Sequence, residues 1–254
     1  MSIASKFRLD GHTALVTGAG RGIGKGIALA MAEAGADVVC ASRTKKDVDT
    51  VAAAIRDLGQ KSLAVSCDVA SEAARQELVD TCVAELGGLS ILVNNAGGAG
   101  PNDPLKTSAG DFEATLTWNV VPAFDLSRAA LPHLKNANDG SIINISSMAA
   151  RLRQRKFSAY GTAKAAVSHM TRLLAQDFAP DVRVNAIEPG PIATAALTKY
   201  MTPEMRDHIV AAIPLKRLGE VDDVSALAVF LASPAASWIS GKVIELDGGT
   251  EAPW

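Results

Sequence analysis

The sequence predicts an α/β protein: a doubly wound parallel sheet in three αβα layers, formed as a single domain over residues 1–254. Three observations predict it. Short apolar or β-branched runs alternate with longer helical patterns, the strand runs are continuously apolar, and 48% of the 254 residues are hydrophobic against 20% charged, far from the composition of disordered chains. Such alternation implies βαβ units, because parallel neighbours need a crossover, and a right-handed one. Runs such as Ala14-Leu15-Val16, Ile91-Leu92-Val93 and Ile142-Ile143 suit strands covered on both faces.

In chain order, a strand is read at 13–17 (TALVT), followed by a glycine-rich turn and a helix at 22–34. A strand at 37–41 (DVVCA) with a helix at 47–58, and a strand at 62–66 (SLAVS) with a helix at 71–86, form the next two units. Strands at 89–93 and 140–146 flank the long helical pattern at 111–134, and a helix at 158–178 leads to a strand at 182–187. A helix at 221–232 and a strand at 242–246 close the series. Residues 224–241 are uncharged, but Pro234 and four serines interrupt them, so a buried helix, a proline break and a loop are expected rather than the roughly 20 apolar residues of a membrane span.

Two segments resist regular assignment: 97–110, with four glycines and two prolines, and 188–214, with Pro189, Pro191, Pro203 and Pro214. Both follow expected strands, at the sheet edge where open α/β folds bind ligands. The second has the length of a lid over a substrate, and equally that of a surface excursion.

With 25 Lys and Arg against 27 Asp and Glu, the net charge of −2 supplies no global field for nucleic acid or an anionic membrane surface. Cys40, Cys67 and Cys82 are odd in number and lack C-x-x-C spacing. Neither a disulfide framework nor a thiolate metal site is expected, and the reducing cytoplasm is the expected compartment. His12, His133, His169 and His208 have no E-x-x-H or C-x-x-C partners, so no metal is expected. Residues 1–8 contain no apolar run of a secretory signal. No G-x-S-x-G elbow surrounds Ser147, which argues against an esterase.

Thr17-Gly18-Ala19-Gly20-Arg21-Gly22-Ile23-Gly24 links the first strand to the first helix, an arrangement that cradles a pyrophosphate. G-x-G-x-x-G fits it in no register, and alone it reads equally as a flexible turn. In this position T-G-x-x-x-G-x-G resembles the cofactor signature of the short-chain dehydrogenase/reductase family. Asp68-Val69 at the third strand, Asn94-Asn95-Ala96-Gly97 after the fourth, and Asn185, Pro189-Gly190 and Thr194 near the sixth continue the resemblance in order, over residues 13–249. It implies a Rossmann fold and a nicotinamide cofactor. By the same resemblance Gly18, Gly20, Arg21, Gly22, Ile23 and Gly24 meet the pyrophosphate, Asp68 and Val69 the adenine, and Asn95, Ala96 and Gly97 the adjoining groove. Pro189, Gly190, Ile192 and Thr194 then run past the nicotinamide.

Charge argues which nicotinamide cofactor is used. NAD sites place an acid at the end of the second strand, about 20 residues past the glycine turn, to bind the ribose 2′-hydroxyl. That place reads Cys40-Ala41-Ser42-Arg43, and Asp37 lies too early in its strand. Arg43 and Ser42, with Arg21 in the turn, suit a 2′-phosphate instead, because a guanidinium makes charge-assisted bidentate bonds to phosphate. NADP(H) is the expected cofactor, with NAD(H) the alternative in which these cations are only solvated surface.

Tyr160 and Lys164 stand four residues apart on one helix face, and Ser147 lies 13 residues before Tyr160 at the end of a strand. Tyr200 is the only other tyrosine. The Ser–Tyr spacing matches the family's catalytic pair, and Asn119 matches its fourth catalytic residue. Hydride delivery to a ketone leaves an alkoxide that needs a hydrogen-bond donor and a proton. Ser147 is assigned as the donor, Tyr160 as the acid, or base in the oxidative direction, Lys164 as its activator and the holder of the nicotinamide ribose, and Asn119 as the keeper of a relay water. An ammonium roughly 4.5 Å from the phenol, in an effective dielectric of about 20, is worth on the order of 3.7 kcal/mol, enough to bring a pKa near 10 into the neutral range.

Substrate is less determined. Arg151, Arg153, Arg155 and Lys156 form a basic cluster after Ser147, which reads either as a rim attracting an anionic tail or as a solvated loop. The segments Gly97 to Pro101, Ser147 to Ala150, Ser168-His169 and Ser233 to Trp238 resemble bacterial 7α-hydroxysteroid dehydrogenase-like members. A 3-oxoacyl carrier-protein reductase shares the catalytic set, but 176–181 carries two acids and no base for an acidic carrier. A non-catalytic NADPH-binding regulator would have lost Tyr or Lys, and both are present. The resemblance also implies a homotetramer meeting through the two long helices and the last strand.

Overall fold

β1 (Thr13–Thr17) enters the middle of a seven-stranded, wholly parallel sheet of order β3-β2-β1-β4-β5-β6-β7 in the computed structural model, which describes residues 2–199 and 201–252. From β1 the chain winds outward through α1 (Gly22–Glu33), β2 (Asp37–Ser42), α2 (Lys45–Asp57) and β3 (Ser62–Ser66). It then crosses by α3 (Glu72–Leu86) to β4 (Ile91–Asn94) on the far side of β1. α4 (Ala109–Lys135), β5 (Gly140–Ile145), α5 (Ser158–Asp177) and β6 (Val182–Pro189) extend the other half. The direction reverses between β1 and β4, and the crevice outside the carboxyl ends of those strands is where such sheets take ligands.

Alternate side chains of each strand feed two cores, as the two-residue period of a strand requires. Ala14, Val16, Val38, Cys40, Ile91 and Val93 face α1, α2 and the late helix α8 (Val221–Ala232), against Ile27, Met31, Val51 and Leu231. Leu15, Val39, Ala41 and Leu92 face α3, α4 and α5, against Leu78, Leu126, Ala130 and Leu174. Helices thus cover both faces of one sheet, as expected.

Element boundaries moved by a few residues. β4 starts at Ile91 rather than 89, β6 runs on to Pro189, and α4 gains residues at both ends despite containing Pro122 and Pro132. β3 ends at Ser66, so Asp68 follows the strand instead of closing it. The segment 188–214 is not irregular throughout: it holds α6 (Ala195–Thr198) and α7 (Pro203–Ala212). Pro203 occupies the first turn of α7, where its missing N–H costs nothing, and the Thr202 side chain accepts from Met205 N. The uncharged run resolves into α8 and a 3-10 turn at Pro234–Ala236 before β7 (Val243–Leu246). Among the described residues no helix is long and apolar enough to cross a membrane. Tyr200 lies outside the described residues.

Candidate active site

The glycine turn is stapled to the start of the loop after β4. Thr17 Oγ1 accepts from the backbone N–H groups of Asn95 and Ala96 at 3.0 and 3.1 Å, and Asn95 Nδ2 donates to Thr17 O at 2.9 Å. A side chain at Gly24 would collide with the Gly18 carbonyl oxygen and Asn95 Nδ2, and one at Gly18, whose φ is +66°, would lie 2.7 Å from that nitrogen. The turn therefore runs as bare backbone into the α1 N-terminus, which is the cradle a pyrophosphate requires. Arg21 and Arg43 stand exposed at its edge, and Thr194 approaches Gly22 from the segment after β6.

A cavity of about 280 Å³ begins at Ile23, at the end of this turn, and is lined further by Asn95, Gly97, Thr194, Ser147, Tyr160 and Lys164. Pro189, Gly190 and Ile192 line its floor. A Cβ on Gly97 would come within 2.9 Å of Asn119 Oδ1 and 3.5 Å of Lys164 Nζ, so glycine is what lets these side chains close in. Asn119 is buried; its Oδ1 accepts from Gly98 N at 2.8 Å and its Nδ2 donates to Thr115 O at 2.9 Å. Pro122, three residues after Asn119, has no N–H to give the Trp118 carbonyl, so the helix ladder of α4 lacks that hydrogen bond.

Ser147, two residues past the end of β5, lines the cavity with Tyr160, and its hydroxyl acts to lower the phenol's pKa. Lys164 is 4% exposed; its Nζ donates to Ile145 O at 2.9 Å and sits 5.8 Å from the Tyr160 ring centroid. This corrects the electrostatic expectation for the phenol. Burial raises the Tyr160 pKa, the Ser147 hydroxyl opposes that rise, and burial lowers Lys164 to about 8. The ammonium points at a backbone carbonyl rather than at the phenol, and desolvation exceeds any charge effect.

A second correction concerns the basic cluster. Arg151 does not face the entrance: it donates to Asp247 and to Thr250 O (2.8 Å), and pairs with Glu245 at 3.1 Å and Glu188 at 3.9 Å. It ties the turn after Ser147 to the segment after β7. Arg153, Arg155 and Lys156 form no ion pair among the described residues, and the Lys156 carbonyl accepts from Asn102 N at 2.7 Å, joining the loops that follow β4 and β5.

The other expected positions divide. Asp68 is exposed and accepts from Ala70 N at 3.1 Å, while Val69 is buried beneath it. Asn185 lies away from the cavity, holding Ile239 O and Lys242 N ahead of β7. Several side chains support the site in ways that no motif indicates. Asn94 Nδ2 donates to Asn144 Oδ1 and Asn144 to Thr171, a polar seam under the site, and Ser146 Oγ donates to Lys164 O beside the Ser168–Glu188 bond. Asp47 packs beside Gly20. Only its place at the start of α2 pointed there.

A family model described as enoyl-(acyl carrier protein) reductase matches residues 18–251. An uncharacterized oxidoreductase of Mycobacterium tuberculosis is 48% identical over 253 residues, covering 99% of this chain and 96% of its own. The 7α-hydroxysteroid dehydrogenase of Escherichia coli is 40% identical over 247 residues, covering 97% and 96%. A solved 7α-hydroxysteroid dehydrogenase complexed with NADH and 7-oxo glycochenodeoxycholic acid superposes with a TM-score of 0.95 at 40% identity, covering 98% of each chain.

Proposed function

Because the chain belongs to the short-chain dehydrogenase/reductase family and is an oxidoreductase acting on CH–OH donors, we propose that it interconverts a hydroxysteroid-like secondary alcohol and its ketone with NADP(H). The observation that carries this reading is a cavity that reaches from Ile23, in the first turn of α1, past Asn95 and Gly97 to Ser147, Tyr160 and Lys164. Gly18 to Gly24 hold the pyrophosphate, Asp68 and Val69 the adenine, Asn95 to Gly97 the groove, and Pro189, Gly190, Ile192 and Thr194 the nicotinamide side. NADPH, when bound, supplies the hydride. Ser147 donates a hydrogen bond to the carbonyl oxygen, and Tyr160, kept protonated by burial, gives its proton to the alkoxide. Lys164 holds the nicotinamide ribose, and Asn119 fixes the loop at Gly98 over the relay path.

Ser42, Arg43 and Arg21 select the 2′-phosphate in this reading. NAD(H) is the second reading, favoured by the NADH bound to the solved relative and by the carboxylate of Asp47 beside Gly20. The unpaired Arg153, Arg155 and Lys156 on the loop after Ser147 suit an anionic tail on the substrate, with the 188–214 segment as its cover. The alternative is a 3-oxoacyl-thioester reductase, which shares an acyl-carrier-protein substrate, though not the bond reduced, with the enoyl reductase named in the matching family model's description. A panel of glycine-conjugated oxo-steroid, neutral steroid ketone, acetoacetyl thioester and small ketone, assayed by NADPH absorbance, decides between them. The highest kcat/KM is expected on the conjugated steroid; a rate on the thioester far above it would overturn the assignment.

The buried thiols of Cys40, Cys67 and Cys82 fit the cytoplasm as compartment. The family resemblance implies a homotetramer, and Val121 and Phe124 on α4 and Leu173 on α5, 43%, 46% and 53% exposed, are apolar side chains that a subunit contact through these helices would cover. Light scattering should return four times the chain mass. The mass of a single chain would contradict this.

A further inference from the structure

We propose that Trp118 is a positioning residue for cofactor choice, holding the Arg43 guanidinium over the adenosine end of the groove so that it is ready for a 2′-phosphate. This rests on the NADP(H) reading above. Arg43 directly follows β2, and its Cζ lies 5.4 Å from the centroid of the Trp118 ring, across the groove on α4. The Arg43 carbonyl accepts from Ser66 Oγ, but among the described residues its guanidinium has no carboxylate partner and meets only the indole face. The ring itself is anchored. It packs on the core cluster that contains Ala41, Cys67 and Val69, as Ala96 also does, and these four residues mark the carboxyl ends of β2, β3 and β4.

That placement carries a physical consequence. A free arginine samples many rotamers and must give them up to grip a phosphate, whereas one stacked on a fixed indole has already done so. The indole is the best of the aromatic platforms for a cation, and the contact leaves the guanidinium edge free, because its N–H groups point outward in the plane. Trp118 thus acts on the cofactor through Arg43, and it discriminates only where a 2′-phosphate is present. A cation–π contact of this kind is worth about fivefold in affinity.

Calorimetric titration with 2′,5′-ADP and with 5′-AMP separates the roles without any turnover. Wild type should prefer 2′,5′-ADP. Trp118→Leu should weaken 2′,5′-ADP about fivefold and leave 5′-AMP unchanged, and Trp118→Phe, a weaker platform that preserves the packing, should give an intermediate loss. Equal weakening of both ligands would make Trp118 a packing residue for adenine and overturn the inference, as would unchanged 2′,5′-ADP affinity in either variant. Arg43→Leu distinguishes the two levels. If it leaves the preference intact, the NADP(H) reading falls and this inference with it. If it abolishes the preference while the Trp118 variants retain it, the positioning role alone falls.

Discussion

Tyr160→Phe is expected to keep cofactor binding and to lose turnover by at least about a hundredfold, the usual contribution of a positioned acid–base group. The variant retains the ring, and with it the edge contact to Phe157 at 6.1 Å, so the fold around the cavity has no reason to change. What is lost is the one proton aimed at the alkoxide; Ser147 can still donate a hydrogen bond but leaves the oxygen charged. The pH dependence follows from the same burial. Below about pH 8 Lys164 is cationic and Tyr160 carries its proton, so ketone reduction is at its maximum. As pH rises through that value Lys164 loses its charge and then the phenol its proton, so reduction declines, while alcohol oxidation, which needs the phenolate, increases. Steady-state kcat/KM in both directions reads this directly. Near-normal turnover in Tyr160→Phe would remove Tyr160 from the mechanism, and profiles flat through pH 8 would show that the Lys164 charge has no part in it.

The largest expected stability effect lies at Arg151. Its guanidinium meets Asp247 and Glu188, whose side chains are 6% and 5% exposed, and it also holds Thr250 O. Arg151→Ala leaves those carboxylates buried without a counter-charge, a change that costs about 3 kcal/mol, the lower end for a broken buried pair because Arg151 is itself 25% exposed. For a chain of this size that is a fall in melting temperature of roughly 6–12 °C. Glu245, 55% exposed, adds little. Burial already raises the Glu188 pKa, and removing Arg151 raises it further, so the penalty is greatest at neutral pH and shrinks on acidification as the carboxyls take up protons. Turnover should drop as well, because Arg151 anchors the turn that follows Ser147. An unchanged melting temperature at neutral pH would return Arg151 to the role of a surface charge.

Arg151 also illustrates where sequence reasoning stops. It sits in a run with Arg153, Arg155 and Lys156, and nothing local separates it from them; its partners Asp247 and Thr250 lie nearly a hundred residues away. The phenol of Tyr160 was misjudged for a related reason, since the direction in which Lys164 points and the depth of both groups depend on packing that no spacing reveals. By contrast, the placement of the glycine turn, Asn119, Ser147, Tyr160 and Lys164 was legible, because it depends on fixed offsets after strands and along one helix face. The sheet was legible through the continuous runs of Leu15, Leu92 and Ile142. α7 was hidden because Pro203 reads as a break, although at the first turn of a helix proline is at home. Asn185 shows the reverse case: its motif match was correct in place, yet its side chain secures Ile239 and Lys242 rather than the cavity.

The most direct test of the account is the fate of the hydride. NADPH carrying deuterium at both C4 positions, incubated with the purified protein and a glycine-conjugated oxo-steroid, should yield the hydroxysteroid with one deuterium on the carbinol carbon and an equal amount of NADP⁺. An alcohol product without that label, or no reduction of the ketone at all, would contradict the assignment of this cavity as a ketone-reducing site.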